Sequence, residues 1–133
     1  MMRSRILFLS GHQEDARRLA LMLQGLPLAL DYVSSLQSAR AKLQQEEYDL
    51  ILTEATLPDG NWLNALHLAR ESLRELQVIV TDPLADAGFW AEALNLGAYD
   101  LLPQPFYAPE VRRILYNACS RLPYEARPMA TAV

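Results

Sequence analysis

Short apolar runs alternate along this chain with longer stretches in which apolar residues recur every three or four positions. RILFL, residues 5–9, has the composition of a strand covered on both faces. EDARRLALMLQGL follows, with Ala16, Leu19, Leu23 and Leu26 at helical spacing and Gly25 as a stop. LALDYV, residues 28–33, reads as a second strand, and Ser35 opens a helix carrying Leu36, Ala39 and Leu43 on one side. YDLILTE is a third strand running into LPDGN, a Pro-Asp-Gly turn signal. In the next segment Leu63, Leu66, Ala69 and Leu73 share a helical face beside Arg70. LQVIVTD is a fourth strand stopped by Pro83, DAGFWAEALNLGA a helix ending at Gly97, and YDLLP a short fifth strand. Pro109 suits the first position of a last helix, PEVRRILYNACSRL.

Five strands alternating with five helices predict an α/β fold: a flavodoxin-like three-layer (βα)5 sandwich. Its five-stranded parallel sheet takes the order 2-1-3-4-5, since right-handed crossovers leave few alternatives. In such sheets the working site lies at the carboxyl ends of the strands. Those ends hold Ser10 to His12, Glu54, Thr81 to Asp82, and Pro103 to Pro105. Glu54 stands out, because a carboxylate closing the apolar run Leu50-Ile51-Leu52 must meet water, a cation or a ligand. No Gly-rich phosphate loop of either common kind is present, so nucleotide binding has little support.

Composition narrows the function classes. With 133 residues, 51% hydrophobic and 21% charged, the chain can bury a core. Residues 1–122 are expected to form one domain, and PYEARPMATAV, residues 123–133, a linker or disordered tail. A net charge of −4 argues against direct nucleic-acid binding by this domain. No apolar stretch approaches the ~18 residues of a membrane span, and the start lacks a signal-peptide core, so a cytoplasmic protein is expected. One cysteine, Cys119, excludes an internal disulfide, and two histidines exclude a Cys/His zinc cluster. No cofactor and no metal are expected.

At the strand ends the chain resembles the receiver domain of two-component response regulators. YDLILTEATLPDG is similar to the family's phosphoacceptor segment, GAYDLLPQPF to its fifth-strand segment, and RILFLSGHQED to its opening strand and acidic pair. The likeness runs over about residues 5–122. It implies that Ser10 and Gly11 occupy the places of the two Mg²⁺-holding acids, and Glu54 that of the phosphoacceptor aspartate. The hydroxyl residue after the fourth strand falls on Asp82, or on Thr81 if the register slips by one. The lysine falls on Gln104 and the aromatic switch residue on Leu101.

Those replacements undercut the family's chemistry. Mg²⁺ favours carboxylates, and Ser10-Gly11 supplies none. The extra methylene of Glu54 displaces an attacking oxygen, and a misplacement of ~1 Å can cost about 100-fold in rate. Gln104 removes a positive charge from the transferred phosphoryl, a loss of roughly 10²–10³ by analogy with oxyanion donors. A pseudo-receiver without phosphoryl transfer is therefore expected. Glu54 is then either a fixed stand-in for a phosphorylated aspartate or a drifted residue at a wet strand end. Asp82 near Glu54 would put two acids together without a lysine, with His12 the available partner for Glu54. Residual acceptor activity at Asp59 or Asp82, and a small-molecule sensor using this pocket, are the other readings.

In the family, the face of the fourth helix, fifth strand and fifth helix carries dimerisation or partner docking. The resemblance places Phe89, Trp90, Leu101, Arg112 and Arg113 there as candidates for a protein partner or a homodimer. Phe89 and Trp90 are adjacent on a helix, so one of them is expected at the rim or surface. Trp62 is expected either to cap the altered pocket or to pack on Leu57. The tail is in the position from which family members lead to an output domain.

Overall fold

The computed structural model describes residues 3–72, 76–84 and 86–120. The chain runs through β1 (Ser4–Leu9), α1 (Gln13–Met22), β2 (Leu28–Val33), α2 (Leu36–Gln45) and β3 (Leu50–Glu54). A short antiparallel hairpin follows, β4 (Thr56–Leu57) and β5 (Gly60–Asn61), and then α3 (Trp62–Glu71) and β6 (Gln77–Asp82). The remaining elements are α4 (Ala87–Leu96), β7 (Asp100–Pro103) and α5 (Ala108–Cys119). The main sheet is parallel, ordered β2-β1-β3-β6-β7. With the hairpin strands set aside, this is the flavodoxin-like 2-1-3-4-5 order. The hairpin is the one addition, built on the Pro-Asp-Gly turn.

The continuous apolar runs feed two cores. Side chains alternate across a strand, so Leu7, Leu9, Ile51, Val78 and Val80 fill one face of the sheet with Ala39, Leu66 and Ala93. Ile6, Phe8, Leu50, Leu52 and Ile79 fill the other with Leu19, Val111 and Leu115. Each fully buried Leu or Ile contributes roughly 1.5–3 kcal/mol, so β1 and β3 anchor both layers. Helix ends follow local chemistry. Ser35 accepts from the Ser38 N–H, Asn61 and Asn64 form a reciprocal capping box, and Asp86 accepts from the Phe89 N–H. Gly97 closes α4 at φ +115°, a conformation that needs glycine.

Two sequence expectations are corrected, at Leu63 and Leu101. Leu63 is exposed, because α3 starts at Trp62 and turns Trp62, Ala65, Leu66 and Ala69 inward instead; Leu73 lies outside the described residues. Leu101 is buried in the first core, since its place on β7 points it under α4, and it offers no surface to a partner. Arg112 is engaged within the chain: its Nη1 donates to the carbonyls of Met22 (3.1 Å) and Gln24 (2.8 Å), where α1 ends. A cation at a helix carboxyl end is favourably placed, so Arg112 has a structural task. The tail from 123 lies outside the described residues. Among those described, no helix is long and apolar enough to cross a membrane.

Candidate functional site

The carboxyl ends of β1, β3, β6 and β7 form the crest that carries the site. β1 stops at Leu9 because Ser10, fully buried, folds the chain back locally. Its Oγ accepts from the His12 N–H at 2.8 Å, and its carbonyl accepts from the Tyr32 hydroxyl at 2.7 Å. This bend aims the Gly11 N–H at Glu54, whose Oε1 accepts it at 2.8 Å. His12 is the residue before α1, in extended conformation, and its side chain makes no capping bond. The ring turns to Glu54 instead, with Nδ1 3.2 Å from both carboxylate oxygens.

The buried carboxylate thus meets one backbone donor and one imidazole. The Glu54 side chain is 10% exposed and that of His12 71%. Among the described residues His12 is the ion-pair partner of Glu54, and no Lys or Arg reaches it. The Tyr32 hydroxyl is pushed up from its ordinary pKa first by burial and then by the charge of Glu54. Asp15, one helical turn on from His12, brings a second carboxylate to the same corner.

Across the sheet, Glu54 is in register with Thr81. The Thr81 hydroxyl is fully buried, donates to the Leu102 carbonyl at 2.7 Å and accepts from Gln104 Nε2 at 3.1 Å. The peptide between Gln104 and Pro105 is cis. Thr81, rather than Asp82, is therefore the hydroxyl-bearing position beside Glu54. Asp82 turns aside, its Oδ1 accepting from the Leu84 N–H at 2.7 Å. Asp59 is committed elsewhere, accepting from the N–H groups of Leu36 (2.9 Å) and Gln37 (3.2 Å). Those backbone donors, Leu36 first, hold its carboxyl below the usual range.

Ser10, Gly11, Glu54 and Gln104 lie along the crest, with Thr81 completing the set. Asp15 does not stand out in the sequence, since an acid in the first helical turn reads as ordinary dipole complementation. Its spacing of three from His12 was the available signal. On the lateral face, Phe89 is half-buried against Trp62, ring centroids 6.1 Å apart, and Trp90 is 39% exposed. Trp62 itself is buried in the core that contains Leu57. Arg113 is half-buried.

No family model matches the chain. Among curated proteins it is similar to the swarming motility regulation protein RssB of Serratia marcescens, 33% identical over 92 residues. That match takes in 69% of this chain and 41% of RssB. It is also similar to the response regulator protein PilR of Pseudomonas aeruginosa, 25% identical over 118 residues, 89% of this chain and 26% of PilR. The chain spans less than half the length of the curated relatives it matches. Solved structures of like fold include the beryllofluoride-activated NtrC4 receiver domain dimer, at TM-score 0.79 and 21% identity, covering 88% of this chain and 97% of that one. Another is the receiver domain of the sensor histidine kinase PA1611 from Pseudomonas aeruginosa, with magnesium in its active-site cleft. There the TM-score is 0.75 and the identity 23%, over 89% of this chain and 98% of that one.

Proposed function

Because the chain belongs to the receiver domains of two-component response regulators, we propose that it is a phosphorylation-independent signalling module working through protein contacts. The observation that carries this reading is the environment of Glu54. Its carboxylate stands where the resemblance places the phosphoacceptor, yet it is held by the Gly11 N–H and the His12 ring. Gln104, in the place of the lysine, spends its amide on Thr81. An arriving phosphoryl group would meet no fixed cation among the described residues, and fixed charge at the transferred group is the main source of catalysis in this chemistry. Transfer to a displaced acid has less support, since Asp59 and Asp82 both accept backbone N–H bonds. Incubation with Mg²⁺ and a small phosphodonor, followed by intact mass, is expected to leave the chain unmodified. A one-phosphate gain on any acid overturns the reading.

Docking on this reading uses the side of α4, β7 and α5, where Trp90, Leu96 and Tyr116 are exposed. The partner is a protein or a second copy of the chain, without direct nucleic-acid contact, in the cytoplasm, with no catalytic turnover. The NtrC4 domain of like fold is described as a dimer. Trp90→Ala is expected to weaken self-association or partner binding about tenfold, as truncating an aromatic anchor does. Sedimentation equilibrium or a partner titration measures it, and unchanged association removes the anchor.

A second reading, a small-molecule sensor, is favoured by a cavity of about 370 Å³ beside the crest, lined in part by Asp15, Arg18, Gln104 and Phe106. Its size falls in the range of ligand pockets. A melting shift with a metabolite library tests it; no shift across the library counts against it.

A further inference from the structure

Beyond this reading, we propose that His12, Asp15 and Glu54 form a binding site for a divalent transition-metal ion, Zn²⁺ by preference. The three residues come from two elements that meet only in the fold, the start of α1 and the end of β3. Each offers one ligand atom, and these atoms lie within 4.8 Å of one another. The His12 Nδ1 to Glu54 edge is already the length a metal needs. It is 3.2 Å to both oxygens, and ligand atoms about 2.0–2.2 Å from a four-coordinate Zn²⁺ stand roughly 3.0–3.5 Å apart.

The surroundings favour such an ion. Glu54 is a nearly buried carboxylate fixed by the Gly11 N–H, which orients it as an outer-shell hydrogen bond does at metal sites. Asp15 is 17% exposed and its competitor is weak: Arg18 stands 3.7 Å away and is 63% exposed. A turn of the Asp15 side chain closes the set. Two carboxylates balance the divalent charge, and the exposed His12 ring leaves the corner open to solvent for loading and for a water ligand. The imidazole nitrogen sets the metal class, because Mg²⁺ favours oxygen ligands while Zn²⁺, Co²⁺ and Ni²⁺ accept nitrogen. Glu54 is the phosphoacceptor place of the family resemblance, whereas His12 and Asp15 lie outside the places of its acid pair, which fall on Ser10 and Gly11. The bound ion would tie the first turn of α1 to the end of β3.

Isothermal titration of the untagged 133-residue chain with zinc sulfate, and separately with magnesium chloride, tests the site. One equivalent of Zn²⁺ is expected to bind, with no saturable Mg²⁺ signal. His12→Gln, at a side chain 71% exposed, is expected to weaken Zn²⁺ at least tenfold, and Asp15→Asn several-fold. Histidine ring resonances are expected to shift at His12 and stay put at His67. The proposal is overturned by absence of Zn²⁺ binding, by equal affinity in His12→Gln, or by binding that follows the surface His67–Glu71 pair or Cys119. Zn²⁺ binding and phosphodonor labelling are separate readouts, so either conclusion can fail alone.

Discussion

Charge is handled in opposite ways at the two ends of the central strands. At the amino end of β1, Arg5 Nη2 lies 2.7 Å from both Asp31 and Glu46, and its guanidinium stacks 4.7 Å above the Tyr48 ring. Tyr48 donates to Asp31 at 2.7 Å, Lys42 joins Glu46 at 2.9 Å, and the Arg5 N–H donates to Asp49 at 2.9 Å. Acids and cations there are matched within a few ångströms. At the carboxyl end, Glu54 is more buried than any of these acids and has one exposed histidine for a partner. The lower cluster is organised to hold the layers together. The crest keeps a nearly buried carboxylate with one ionisable partner among the described residues, a departure from local rules of the kind expected at functional or strained sites.

That contrast can be broken most directly at Arg5. Arg5→Met keeps the apolar stem, leaves Asp31 without its cation and Glu46 with Lys42 alone, and is expected to cost about 1–2 kcal/mol in urea unfolding. This figure is already discounted for a side chain 35% exposed and screened by solvent. A loss below about 0.3 kcal/mol would make the cluster ornamental.

A smaller effect is expected in acid. Arg5 first, then Lys42, holds the Glu46 carboxyl below its ordinary value, and backbone donors do the same for Asp59. Folded-state values lowered in this way add stability that is full above the unfolded carboxylate range and fades as pH falls through the folded values. Arg5→Met and Asp59→Ala should each flatten the acid limb of a stability–pH curve, and an unchanged limb contradicts the assignment.

The smallest effect is expected at the crest. Glu54→Gln keeps an acceptor for the Gly11 N–H and removes a buried charge, so stability should move by less than about 0.5 kcal/mol. A loss of about 2 kcal/mol or more would show that the His12 pair is structural.

Much of this fold was legible because apolar runs and helical spacing report burial directly. Ile6 to Leu9 and Leu50 to Leu52 read as doubly covered strands and are so. Positions whose role depends on distant partners were opaque. Arg112 looked like surface charge, yet the carbonyls it caps are 88 and 90 residues away in sequence. Leu101 kept the place of a switch residue in the family pattern, but an aliphatic side chain there packs inward. The choice between Thr81 and Asp82 needed the β3–β6 register, which no single-chain pattern fixes. His12 and Glu54 stand out in the sequence at strand ends, whereas Asp15 joins them only through the packing of the start of α1 beside the end of β3.

The central claim is that this crest does not stabilise a transferred phosphoryl group. Its most direct test is a titration of the isotope-labelled chain with Mg²⁺ and beryllofluoride, following the amides of Gly11, Glu54 and Thr81. These signals are expected to stay where they are at millimolar concentrations. A saturable shift of all three, requiring both Mg²⁺ and beryllofluoride, would contradict that claim.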